Sequence, residues 1–433
     1  MQLKIKKKII LQFNEANFTL INQYANKYNL RGFKKILSLA TKIETSSEDT
    51  YEELEPWIQW YSFYSNLSFS EHKIFHLGDC LEAKHKMFTE KLALEGNRIG
   101  IFGSMNLKPF RGYNIYLPDA WTNSASDNSF SSQIVTSALK KIVNNNVKLT
   151  IGYKEFLGLL ILIGIPNSML HLKMLFQSFK SIVSKSRSEL ASLLDYFFIN
   201  YCLKRLKKNR LDLSFIFLNG FAHVQHHYML SSEFVEGSNP EWYVKDNIDP
   251  LLNSLKIYND LFIEIFDKYQ LDTDIWIITG LTQSPYKKPV IYWRFNNHQL
   301  ILNKFLDFKF KINPRMTRDF EVIVDDKTNI DKALDFFYNA KIKDDQELSN
   351  AFGHIDMQND NKIFVSFTYE MNNKNILLIY NDIEYNLNNE ISFVAIKNGE
   401  HNEKGWAFSN FNVKNFGNKT KIWNLSSLIM QNQ

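Results

Sequence analysis

The chain has 433 residues, 45% of them hydrophobic and 22% charged, with a net charge of +5. A chain of this length and composition buries a sizeable core, as two or three domains or as one large α/β domain with insertions, and it is not a disordered polyelectrolyte. Acidic residues are interspersed among the basic ones, which argues against a dedicated nucleic-acid binder, and two cysteines, Cys80 and Cys202, cannot make a disulfide framework.

Residues 3–13 alternate like a first strand, and the apolar run there is too short for a signal peptide. The strand ends in Asn14 and Glu15 and leads to a helix with Phe18, Ile21, Tyr24 and Ala25 on one face. An acidic, hydroxyl-rich loop from Glu44 reaches Pro56, which suits the first turn of a helix, with Glu53 and Glu55 close to its positive end. Residues 83–95 read as a helix and 98–103 as the next strand, which establishes a βαβ alternation.

From about 130 to 208 the pattern is helical, with breaks near 146–152 and at Pro166, and reads as a helical insertion. Its longest apolar run, Phe156 to Ile165, is roughly half of what a membrane span needs. The expectation is a cytoplasmic protein without a transmembrane segment, with membrane-surface association left open. Phe215–Leu218 reads as a buried parallel strand, and ligands of open α/β sheets gather beyond the carboxyl ends of such strands. Asn219, His223, His226 and His227 follow it directly, in what reads as a loop. A helix over 246–270, a strand over 274–278 and a short strand over 289–294 come next. Arg315 and Arg318 sit in a loop, a helix covers 329–339, and the tail has strands at 362–369, 375–380 and 391–396. Residues 340–361 are polar enough for a flexible loop.

The order of these strand-end loops resembles the alkaline phosphatase superfamily, in particular its type I phosphodiesterase/nucleotide pyrophosphatase branch. Asn14-Glu15 stands where the family has an Asp-Gly metal signature, and Asn219-Gly-Phe-Ala-His223 resembles its Asp-x-x-Gly-His zinc motif. Pro56 through Asn66 to His72-Lys-Ile74 resembles the nucleophile region, Thr279-Gly-Leu-Thr282 falls on the second-metal Ser-Asp-His-Gly, and His354 on the last metal histidine. Several identities differ: the nucleophile position holds Leu54, and the Asp-His pair is Gly280-Leu281.

The resemblance implies an α/β fold with a mostly parallel central sheet flanked by helices. The alkaline-phosphatase-like domain would cover 1–360, and a β-rich segment, 361–433, would pack on it. It implies a phosphodiesterase- or phosphatase-type hydrolase or group transferase, acting on a phosphorylated or anionic glycan, nucleotide or lipid-linked precursor. Asn14, Glu15, Asn219, His223 and His354 are the metal-site positions, for zinc or manganese, with His226 and His227 as substitutes and Glu55 as a spare carboxylate. Read from the residues alone, a metal-independent enzyme would use Glu55 or Glu53 with His72 or His223 as acid and base, and Arg315 and Arg318 are a candidate anion clamp. The competing readings are histidines hydrogen-bonded to backbone, an internal ion pair at Arg318, and a non-catalytic relative that binds a glycan or a biosynthetic partner.

Overall fold

The computed structural model describes residues 6–144, 152–183, 187–245, 247–315, 318–344, 347–371, 375–414 and 417–431. They form two compact units, Met1–Tyr286 with Gly399–Gln433, and Lys287–Asn398. The expected boundary at 360 therefore moves. The described residues of 340–361 are not a loop: they form strands with polar exposed faces that pair antiparallel, and Ala340, Ile342, Ala351 and Phe352 enter the core of the second unit.

The first unit is built on an eight-stranded sheet. Its strands are β1 (Lys8–Phe13), β2 (Thr41–Ser46), β3 (Ile99–Phe102), β4 (Ile115–Leu117), β5 (Leu213–Leu218), β6 (Asp274–Ile278) and two from the tail, Lys404–Ser409 and Lys419–Lys421. β1 lies at the centre, parallel to both β5 and β6, and the tail strand Lys404–Ser409 runs antiparallel to β6 and β2. All six residues of β1 and of β5 are buried. Alternate side chains enter two separate cores: Ile9, Leu11, Phe13, Ile216 and Leu218 one way, Ile10, Phe215 and Phe217 the other. That two-residue period with apolar side chains on both faces is what a strand covered by helices on both sides requires.

One face is covered by α1 (Phe18–Lys27), α2 (Arg31–Leu37) and the helices of the middle of the chain. The other is covered by α3 (Pro56–Ser65), α5 (Phe88–Leu94) and residues 422–430, with the short α4 (Phe69–His72) following α3. The helix expected from 83 begins only at Phe88, since residues 83–87 approach as irregular chain. Four helices make up the expected helical block: α6 (Phe130–Asn144), α7 (Tyr153–Ile163), α8 (Met169–Val183) and α9 (Arg187–Asn209). The break expected near 146–152 lies almost wholly outside the described residues, and the break at Pro166 separates α7 from α8.

The largest local departure follows β5. The histidine stretch is not a loop but α10 (Gly220–Tyr228), which starts two residues after the strand ends. Two features permit so abrupt a turn. A Cβ at residue 220 would lie 2.5 Å from the Ala191 carbonyl oxygen and 2.7 Å from the Tyr258 hydroxyl, so only glycine fits. The Gly220 N–H is taken by the Asp195 carboxylate at 2.7 Å, which also accepts from the Tyr258 hydroxyl at 2.6 Å.

Burial pushes the Asp195 carboxyl up to about 7, against the opposing effect of these hydrogen bonds. Between its unfolded value near 3.8 and about 7 it is protonated in the folded chain and ionised in the unfolded one, so stability falls as pH rises through that window. Asp195→Asn keeps an acceptor for both donors and cannot ionise. The expected result is a flatter pH dependence of urea midpoints between pH 4 and 7; an unchanged slope would refute the assignment.

Next come α11 (Pro250–Tyr269), capped by Asp249, and β7 (Thr282–Phe295), of which the expected strand 289–294 is only the far part. The second unit carries α12 (His298–Leu302), β8 (Phe310–Pro314), β9 (Asp319–Val324), α13 (Ile330–Asn339), β10 (Lys341–Lys343), β11 (Leu348–Asn350), β12 (Phe352–Asn359), β13 (Lys362–Phe367), β14 (Leu377–Tyr380) and β15 (Ile383–Asn386). These strands form two four-stranded sheets, in the orders β11-β10-β14-β15 and β12-β13-β9-β8. β16 (Ile391–Asn402) pairs with β7.

Candidate metal centre

Parallel pairing of β6, β1 and β5 brings their carboxyl ends side by side, and with them Thr279, Asn14 and Asn219. Asn14 is buried, and both ends of its amide are hydrogen-bonded. The Trp60 indole N–H, which is a donor only, points at Oδ1 at 2.8 Å and so fixes the amide's orientation. Nδ2 then donates to Glu15 Oε1 and to Asn219 Oδ1, both at 2.8 Å. Nδ2 carries donors only and cannot ligate an ion, and Oδ1 already accepts from Trp60. Asn14 and Asn219 are instead the frame that aims Glu15.

Glu15 is 3% exposed and takes a left-handed backbone, φ 54°, uncommon for a residue with a side chain and a frequent mark of functional turns. Gln225 clamps that turn, donating to the Glu15 carbonyl at 2.8 Å and accepting from the Asn17 N–H at 3.0 Å. Glu15 Oε2 faces His226 Nε2 at 2.8 Å and His401 Nε2 at 3.3 Å, and it also accepts from the Gln283 amide. The other edge of His401 meets Glu55: Nδ1 lies 3.5 Å from Glu55 Oε2. Burial pushes the Glu15 carboxyl up, but the charges and hydrogen bonds of His226 and His401 outweigh it and hold it well below the ordinary carboxylate range.

One potential ligand atom from each of Glu15, His226 and His401 lies within 4.8 Å of the others. Ligands of a tetrahedral zinc at roughly 2.0–2.2 Å stand roughly 3.3 Å apart, so the spacing and the donor types fit one divalent ion with an open position. With an ion there, Glu55 beside His401 Nδ1 would be the outer carboxylate that orients a ligating imidazole and selects its tautomer. A two-ion set of the superfamily type does not fit. Asn14 and Asn219 are neutral and hydrogen-bonded to each other, Thr279 Oγ1 accepts from the Trp406 N–H, and the next positions are Gly280 and the buried Leu281.

Of the other expected residues, His223 is one turn before His226 on α10 but packs edge-on against His227, with ring centroids 4.6 Å apart. Burial, reinforced by His227 and His226, pulls its pKa down to about 3, so it is neutral at any working pH. His72 is a core histidine. It accepts the Ile74 N–H at Nδ1, which leaves Nε2 to donate to Ser62 Oγ at 2.9 Å, and burial followed by the effect of His85 lowers its pKa to about 4. That spent imidazole is no acid or base for Glu55. Arg315, Arg318 and His354 belong to the second unit and make no clamp there: Arg315 pairs with Glu321, Arg318 pairs with Glu370 at 3.5 Å and lies over Tyr292, and His354 packs edge-on against Phe364.

His401 and Gln283 have no counterpart in the sequence reading. A lone histidine in a polar tail strand carries no local signature, and only the pattern of β16 extending past 396 could have drawn attention to it.

No family model matches the chain, and no curated protein does. Solved structures similar to it include phosphonoacetate hydrolase from Sinorhizobium meliloti 1021 in complex with phosphonoacetate, 10% identical over 99% of this chain and 96% of that one, with a TM-score of 0.44. Murine ectonucleotide pyrophosphatase/phosphodiesterase 5 in complex with AMP is 11% identical over 98% and 94%, TM-score 0.40, and the alkaline phosphatase PafA is 11% identical over 100% and 97%, TM-score 0.46. The mixed α/β fold, with its large and mostly parallel sheet between helices, is the one that the resemblance to the alkaline phosphatase superfamily implies.

Proposed function

We propose that this protein is a metal-assisted hydrolase of phosphate esters, or of a related anionic ester, working with one divalent ion at Glu15, His226 and His401. The convergence of one carboxylate and two imidazoles at the carboxyl edge of the central sheet carries the reading. A zinc or manganese ion bound there would supply Lewis-acid polarisation of a phosphoryl oxygen and a lowered pKa for water.

The chain's own residues do the rest. Glu15 stays ionised and gives the charge that offsets a cation, while the Asn14 and Gln283 amides hold its two oxygens in place. Glu55, with a third of its side chain exposed, holds His401 by Nδ1 and is placed to accept a proton from water at the mouth of the site. Leu54, buried, occupies the position of a hydroxyl nucleophile, so the reading is direct attack by water without a covalent enzyme intermediate. The proposed substrates are a phosphorylated glycan, nucleotide or lipid-linked precursor, in a cytoplasmic route of surface polysaccharide metabolism.

The test is metal content of the purified protein together with turnover of generic phosphodiesters and phosphomonoesters. Chelator-sensitive turnover is expected; absence of both metal and turnover would overturn the proposal. Buried Leu54 favours one second reading, a catalytically inactive relative that binds a glycan or biosynthetic partner. Binding of an anionic saccharide unaffected by chelator and unaccompanied by turnover is the result that would select it.

A further inference from the structure

Exposed apolar side chains are normal when scattered, and informative when they gather. Ten of the twenty-five large apolar residues that stand exposed among the described residues fall between 153 and 183, on α7, α8 and the turn joining them. On α7 they are Tyr153, Phe156 and Leu160, spaced three and four apart and so on one stripe. On α8, Met169, Phe176 and Phe179 form a matching stripe, and Ile165 at the turn is 84% exposed.

The opposite sides of both helices are the packed ones. Gly158 meets α6 so closely that a Cβ would lie 2.6 Å from Ala138 Cβ, Leu162 is buried beside it, and His171 and Met174 turn inward from α8. The outward stripes are therefore surplus to the fold of this unit.

We propose that the α7–α8 hairpin docks on an anionic lipid surface, lying in the plane of the interface. At 11 and 15 residues the two helices are too short to cross a bilayer, and no helix of the described residues is long and apolar enough to do so. Charge on the segment has one prevailing sign. Lys154, Lys173 and Lys180 stand against the single acid Glu155, and the Lys204 ammonium reaches the turn at Gly164. Lys173 is paired with Asp260 at 2.6 Å; exposed Lys180 borders the stripe, where its stem covers apolar surface while its head reaches phosphate. A second copy of the chain is the poorer occupant, because a two-fold contact through this face would set one lysine rim against another.

The test is co-sedimentation of the full-length protein with phosphatidylcholine vesicles, with and without phosphatidylglycerol. Binding is expected only with the anionic lipid and should weaken with salt. Phe176→Asp with Phe179→Asp should lower vesicle affinity at least about tenfold, given what burying two phenyl rings contributes, while Leu271→Asp, at a 93% exposed site elsewhere, should leave it unchanged. Phe176→Cys carrying an environment-sensitive dye gives a second readout, a blue shift with anionic vesicles alone, since Cys80 and Cys202 are buried. Failure of the wild-type protein to bind, equal binding by the double variant, or a solution dimer dissolved by the double variant would each overturn the proposal.

Discussion

His226→Ala is expected to weaken zinc or manganese binding by at least about 100-fold, more than loss of an outer partner of a metal ligand costs. The imidazole is one of the three ligand groups Glu15, His226 and His401, and alanine leaves two, one carboxylate and one histidine, with an extra open position. Glu55→Gln is the graded counterpart. It keeps a hydrogen-bonding group beside His401 Nδ1 and removes only the charge, so roughly 10- to 100-fold is the expected loss. Titration calorimetry measures both directly. Thermal denaturation gives an independent check, because an ion at about 100 times its Kd stabilises the folded state by about 2.7 kcal/mol, and the increment should vanish in His226→Ala. His223→Ala should leave metal affinity unchanged, since that ring packs edge-on against His227 and is not one of the three converging groups. Equal affinities for His226→Ala and the wild-type protein would remove the ion from this place.

Asn14 carries the second large effect. Asn14→Leu keeps the branched skeleton but strips the acceptor from the buried Trp60 indole and the donor from Glu15 Oε1 and Asn219 Oδ1. With one buried donor orphaned at about 1–3 kcal/mol and a hydrogen bond to an ionised carboxylate lost besides, the expected destabilisation is roughly 3–5 kcal/mol, read from urea denaturation. Asn14→Asp separates the two contributions. It leaves Trp60 satisfied and places a second carboxylate against Glu15, so the metal-free protein should lose stability that zinc restores. A variant as stable as the wild-type protein in chelator would show that the Asn14 donors do not matter.

Much of the scaffold was legible because its signals are local. The alternation before Asn14 and the apolar runs Phe215–Leu218 and Ile275–Ile278 announce the strands β1, β5 and β6, and Pro56 marks the first turn of α3. The histidine stretch was misread at a single point. Asn219-Gly220 looks like loop punctuation, yet the chain turns directly into α10 because the Asp195 carboxylate and the tight approach of Ala191 and Tyr258 make that turn. Neither cause is adjacent in sequence. The second unit was missed for a related reason: its strands are short and polar on one face, and only antiparallel pairing with distant partners identifies them.

The sequence by itself determined that strands β1 and β5 end in Asn14-Glu15 and Asn219, because periodicity and hydrophobicity are properties of neighbouring residues. It determined equally that no hydroxyl stands at Leu54. Tertiary structure alone decided which polar groups meet. It brought His401 from the tail to Glu15 and Glu55, chose His226 over His223 by the turn of one helix, and gave Arg315, Arg318 and His354 their partners in the other unit. Such choices rest on hydrogen-bond geometry and desolvation between groups far apart in the chain, and no local pattern records them.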